Sequence, residues 1–69
     1  MDISTKIKLA AKYAGISESE LARRLGVSPQ AFGQRLKTGK FSSADLERIG
    51  EALGATIAVE ICFPDGEKI

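Results

Sequence analysis

From Leu25 to Pro29 the chain reads Leu-Gly-Val-Ser-Pro, and these five residues narrow the possible folds more than anything else in it. An apolar-periodic stretch over residues 18–25 stops at Gly26, a residue suited to the left-handed conformation that closes a helix. Pro29 then opens a second stretch at a first helical position, where its missing N–H costs nothing. Only Val27 and Ser28 stand between them. A connection this short does not let two helices run back antiparallel, so they cross steeply, with Leu21, Ala22 and Leu25 facing Phe32 and Leu36. Ala22 is small where the two helices come closest.

The same local device marks three helix starts. An apolar residue before a Ser N-cap clasps an apolar residue at the fourth helical position, and this occurs as Ile16-Ser17 with Leu21, Val27-Ser28 with Phe32, and Phe41-Ser42 with Leu46. Glu20 stands where it completes a capping box with Ser17, and Asp45 has the same place relative to Ser42. These starts predict helices over residues 18–25, 29–37 and 43–53, the last burying Leu46, Ile49 and Leu53 and ending at Gly54. A further helix is expected over residues 4–14, closed by Gly15, with Ile3, Ile7, Ala10, Ala11 and Ala14 inward. Leu9 and Tyr13 fall outside that stripe, either as a surface pair or as a face covered by the C-terminal segment or a second subunit.

After Gly54 the period changes. Ala55, Ile57, Val59, Ile61 and Phe63 alternate with Thr56, Ala58, Glu60 and Cys62, the repeat of a half-buried strand. Pro64-Asp65-Gly66 is a turn signal, after which Glu67-Lys68-Ile69 has room to fold back as a very short second strand. The expected fold class is therefore mainly α: four short helices with a C-terminal β-strand or short hairpin. Residues 1–54 make the helical domain, and residues 55–69 are an appendage of the same domain.

Sixty-nine residues support one core. No apolar run approaches the ~20 residues that span a bilayer, and the first residues lack the layout of a signal peptide, so a soluble, cytoplasmic protein is expected. With no His and a single Cys, Cys62, neither an internal disulfide nor a structural zinc site is expected. No cofactor is implied, and with neither paired carboxylates in a pocket context nor a Gly-rich phosphate loop, no enzymatic reaction is proposed. The overall charge of +1 conceals a division. Residues 1–40 carry eight Lys/Arg against three acidic residues, a net +5, whereas residues 41–69 carry two against six, a net −4. One half offers a basic surface to a polyanion, and the other a solvated or partner-facing one.

The segment SESELARRLGVSPQAFGQRL over residues 17–36, followed by Lys-Thr-Gly-Lys and a capped fourth helix, resembles the helix-turn-helix of the phage Cro/repressor-like (XRE) family. The resemblance covers residues 4–54 and rests on the joint spacing of Leu21-Ala22, Leu25-Gly26 and Phe32. It implies a lambda-repressor-like DNA-binding fold and a partner of double-stranded DNA. With Phe32 and Leu36 inward, the outer face of the third helix carries Ser28, Gln30, Gly33, Gln34 and Lys37. A Gln pairs in bidentate fashion with adenine, a contact that discriminates by ~1–3 kcal/mol, so Gln30 and Gln34 are the expected base readers in the major groove. Both match base-contacting positions of the family. Ser28 and Arg35 complete the expected base-reading set, with a phosphate as the other destination of Arg35. Lys37, Thr38, Lys40, Ser42 and Ser43 lie where relatives grip the phosphate strand, with Arg23 and Arg24 assisting. Glu18 departs from the family, which commonly has a phosphate-contacting Gln there.

A lone exposed strand leaves backbone groups unpaired, and three residues are too few to cover nine. Two copies of residues 55–63 are therefore expected to form an antiparallel ribbon, with Ile57, Val59, Ile61 and Phe63 at a homodimer interface. The functional expectation is a sequence-specific, DNA-binding transcriptional regulator, a repressor or Cro-like homodimer. The alternative is an antitoxin-like or adaptor module whose acidic half and strand bind a protein partner.

Overall fold

Each of the four helices starts on a side chain that takes an otherwise unpaired backbone N–H. In the computed structural model, which describes residues 2–69, the helices are α1 (Ile3–Ala14), α2 (Glu18–Arg24), α3 (Pro29–Thr38) and α4 (Ser43–Leu53). Ser17, Ser28 and Ser42 accept at 3.0–3.1 Å from the N–H groups of Glu20, Ala31 and Asp45. Asp2 does the same for Thr5 at 2.7 Å, so α1 begins one residue earlier than expected. Lys6 occupies the fourth position there, and the apolar clasp of the other three starts is missing.

Only one of the two expected capping boxes closes. Asp45 returns its carboxylate to the Ser42 N–H at 3.0 Å, whereas Glu20 turns its carboxylate to Arg23 and Arg24 instead. Two guanidiniums on the same helix outbid one neutral N–H for that charge.

The core is built from Ile7 and Ala11 of α1, Leu21 and Ala22 of α2 with Leu25 after it, Phe32 and Leu36 of α3, and Ile49 of α4. Leu21 and Ala22 are fully buried, in one cluster with Phe32 and Leu36 of α3. Gly26 turns the four-residue connection from α2 to α3, residues 25–28: its φ of 75° is accessible to glycine at little cost. Leu46 and Leu53 pack on the rim of the core. The inward stripe of α1 is rotated from the expected one. Ser4 is buried, while Ala10 and Ala14 are exposed. Alanine fits either face of a helix, so its spacing did not locate the stripe.

Two arginines lock α2 to α4 reciprocally. Arg24 donates to the carbonyl of Ala52 at 2.9 Å, in the last turn of α4, and Arg48 donates to the carbonyl of Leu25 at 2.6 Å, at the end of α2. Each satisfies a carbonyl that its own helix leaves unpaired, and the charge suits the negative end of the helix dipole.

Past Gly54 the chain folds over α4 at Gly50, a buried residue. Ala55 donates to the Gly50 carbonyl at 2.8 Å, and a Cβ at Gly50 would stand only 3.1 Å from the Ala55 carbonyl oxygen. Ile57 packs on the core, and every residue from Ala58 onward is exposed. The expected strand over residues 55–63 does not form as a continuous element. One antiparallel bridge, Cys62 with Lys68, is present, flanked by hydrogen bonds between Ile61 and Ile69 and between Phe63 and Glu67. Residues 56–60 find no cross-strand partner among the described residues, and a strand without a partner is not a stable element. The molecule measures 42 × 23 × 20 Å along its principal axes. Among the described residues, no helix is long and apolar enough to cross a membrane.

Candidate nucleic-acid interface

Two buried side chains one turn apart set the orientation of α3. Phe32 and Leu36 are 2% and 6% exposed, so the opposite face of the helix looks away from the protein. At 100° per residue, Gln30, Gln34 and Lys37 fall within about 60° of that outward direction. All three are exposed, as is Ser28 at the helix start. The Ser28 hydroxyl oxygen accepts the Ala31 N–H, and Pro29 has no N–H, so the Gln30 backbone N–H is the main-chain donor left open at this end. Gly33 lies on the flank of this face, with nothing within 4 Å of the position its Cβ would take.

Arg35 does not join the outward set. Its half-exposed guanidinium lies 3.0 Å from Asp45 across the gap to α4, so a base contact competes with that ion pair. The Asp45 carboxyl is held below the ordinary aspartate range, first by the Ser42 backbone N–H and further by Arg35. It therefore stays ionised at the N-terminus of α4.

That charge also alters the expected phosphate grip. Ser42 accepts the Asp45 N–H on its hydroxyl oxygen and donates its own N–H to the Asp45 carboxylate, so its backbone is engaged and only the hydroxyl proton is left for a ligand. The N–H groups of Ser43 and Ala44 are the unpaired donors at this helix start. Thr38 donates its hydroxyl to the Arg35 carbonyl at 3.1 Å and accepts from the Lys40 N–H at 3.4 Å, which shapes the turn out of α3. Lys37 and Lys40 are exposed and belong to no ion pair among the described residues. Of the two expected helpers, Arg24 is tied to Glu20 and to the end of α4, and Arg23 is bound to Glu20 but remains largely exposed. The Glu20 carboxyl is held low, chiefly by Arg23 and then by Arg24.

Sequence reasoning missed the roles of Arg24, Arg35 and Arg48 because their partners lie on other helices and have no local signature. The Asp2 cap did have one: an N-cap residue type directly before a helical stretch. Compared with protein-family models, with curated proteins and with solved structures, the chain matches none of them.

Proposed function

We propose that this chain is a sequence-specific, double-stranded-DNA-binding transcriptional regulator with a helix-turn-helix of the phage Cro/repressor-like kind. It enters the major groove with α3 and acts in the cytoplasm as a homodimer. One observation carries this reading: α3 is anchored by Phe32 and Leu36 so that Gln30, Gln34 and Lys37 all face outward and unencumbered. A helix of about 10–12 Å diameter fits a major groove about 12 Å wide, and two glutamines one turn apart are matched to adenine edges. Lys37, Lys40 and the open N–H groups of Ser43 and Ala44 supply the phosphate contacts that set register and affinity.

The test is enrichment of random duplexes on the purified protein, followed by Gln30→Ala with Gln34→Ala against the selected site. The double variant loses sequence preference and keeps most of its nonspecific affinity. Unchanged preference removes α3 as the reader.

Exposed apolar side chains favour a second reading, a protein-interaction module of antitoxin or adaptor type. Tyr13 is 95% exposed on α1, and Val59 and Ile61 are exposed on the acidic C-terminal arm. Salt dependence separates the two. Lys37 and Lys40 from two subunits displace about four counterions, giving a log–log slope of about −4. A slope near zero favours the interaction module.

A further inference from the structure

The C-terminal arm carries its own instructions for pairing with a second copy. Ile61 and Ile69 exchange both backbone hydrogen bonds, at 2.7 and 2.9 Å, and Phe63 donates to Glu67 at 2.8 Å. In an antiparallel pair such residues point their N–H and C=O groups at each other, and the residues between them point theirs the other way. Odd-numbered residues therefore face the returning 67–69 arm. Toward α4 the phase is the same, because the Ala55 carbonyl oxygen and the Ile57 N–H both lie against Gly50. Carried through an extended 55–63, this phase makes Thr56, Ala58, Glu60 and Cys62 the free edge, and a second strand adding to it forms hydrogen-bonded pairs with these residues alone.

This phase leaves few symmetric registers. A two-fold at Glu60 sets two carboxylates directly opposite, which is unfavourable. A two-fold at Ile61 or Cys62 puts Pro64, which has no N–H, at a hydrogen-bonded position. A two-fold at Ala58 places Phe63 opposite Leu53, which is inside α4.

We infer that two copies of this chain pair antiparallel through residues 55–63 with the two-fold axis at Val59, an inference that rests on the homodimer proposed above. Val59 then faces Val59 of the partner subunit, Ile57 faces the partner's Ile61, and Ala55 faces the partner's Phe63. On the other face Thr56 meets the partner's Cys62, and Ala58 meets the partner's Glu60. Every residue from 55 to 63 is paired, apolar against apolar on the face that already seats Ile57 on the core. With each 67–69 arm added, the marginal two-stranded hairpin becomes a four-stranded sheet, the size at which such elements become stable. Val59, Ile61 and Phe63, exposed at 74%, 61% and 47%, gain neighbours on that face.

Cysteine cross-linking reads the register directly. Facing residues at a non-hydrogen-bonded site have Cα atoms about 4.5 Å apart, within disulfide reach. Four residues along a strand span about 13 Å, beyond it. In a Cys62→Ser background, Val59→Cys is expected to form an interchain disulfide about tenfold or more faster than Ile61→Cys. Both sites are exposed, so folding is not at stake. Ile57→Cys together with Ile61→Cys restores fast linkage. Sedimentation of the reduced protein reports the dimer independently. A dimer that links faster at residue 61 than at 59 overturns this register and leaves the homodimer standing. A monomer at every concentration overturns both, without touching DNA binding by α3.

Discussion

Replacing Gly33 with Ala separates what the fold needs from what a ligand needs. Gly33 sits within α3 with an ordinary helical φ, and a Cβ there meets no atom within 4 Å. No steric cost offsets the gain in helix propensity, so the substitution stabilises by about 1 kcal/mol. For 69 residues at roughly 2.1 cal/mol/K each, the unfolding entropy is about 0.145 kcal/mol/K, and Tm rises by about 7 °C. Thermal unfolding followed by circular dichroism measures this. The protein's own packing leaves the space beside Gly33 open, and in the DNA-bound state proposed above a side chain there would meet the duplex. A methyl forced against a base edge costs about 1–3 kcal/mol, roughly five- to 160-fold in Kd. The expected result is a more stable protein that binds its selected duplex more weakly. A fall in Tm refutes the structural reasoning, and a higher Tm with unchanged affinity refutes the close approach of α3 to DNA.

Ser4 is 9% exposed, and its hydroxyl has no hydrogen-bond partner, so Ser4→Ala removes an unsatisfied buried group and is expected to stabilise by about 1–2 kcal/mol in denaturant unfolding. A loss of stability there would mean that the hydroxyl is bonded in solution. The carboxyls of Asp2, Glu20 and Asp45 are all held low, by the Thr5 N–H, by Arg23, and by the Ser42 N–H respectively. Their ionised forms favour the fold, so their contribution is complete above the ordinary carboxylate values and is lost as pH falls through the lowered ones. With no His in the chain, Tm is expected to stay flat from about pH 5 to 8 and to drop below about pH 4. Asp45→Asn makes that acid drop shallower, and an unchanged drop would remove Asp45 from the explanation.

What could be read in advance was local. Ser17, Ser28 and Ser42 cap their own helices through bonds three residues long, and Gly26 with Pro29 set the α2–α3 connection through their own backbone preferences. The outward placement of Gln30 and Gln34 followed from Phe32 and Leu36 in the same helix. What was not legible depended on distant partners. Arg24 and Arg48 are charges on helix surfaces until the carbonyls of Ala52 and Leu25 are known to lie beside them. Arg35 looked free for a base because nothing near it in the chain announces Asp45. The arm kept its alternating pattern but not its strand, because residues 56–60 find no cross-strand partner among the described residues.

Amide chemical-shift mapping of isotope-labelled protein titrated with its enriched duplex tests the central claim most directly. Shifts are expected to concentrate on residues 28–38 and on the open amides of Ser43 and Ala44, with α1 and the core unmoved. Shifts confined to residues 55–69 or to the acidic face of α4, with α3 silent, would contradict it.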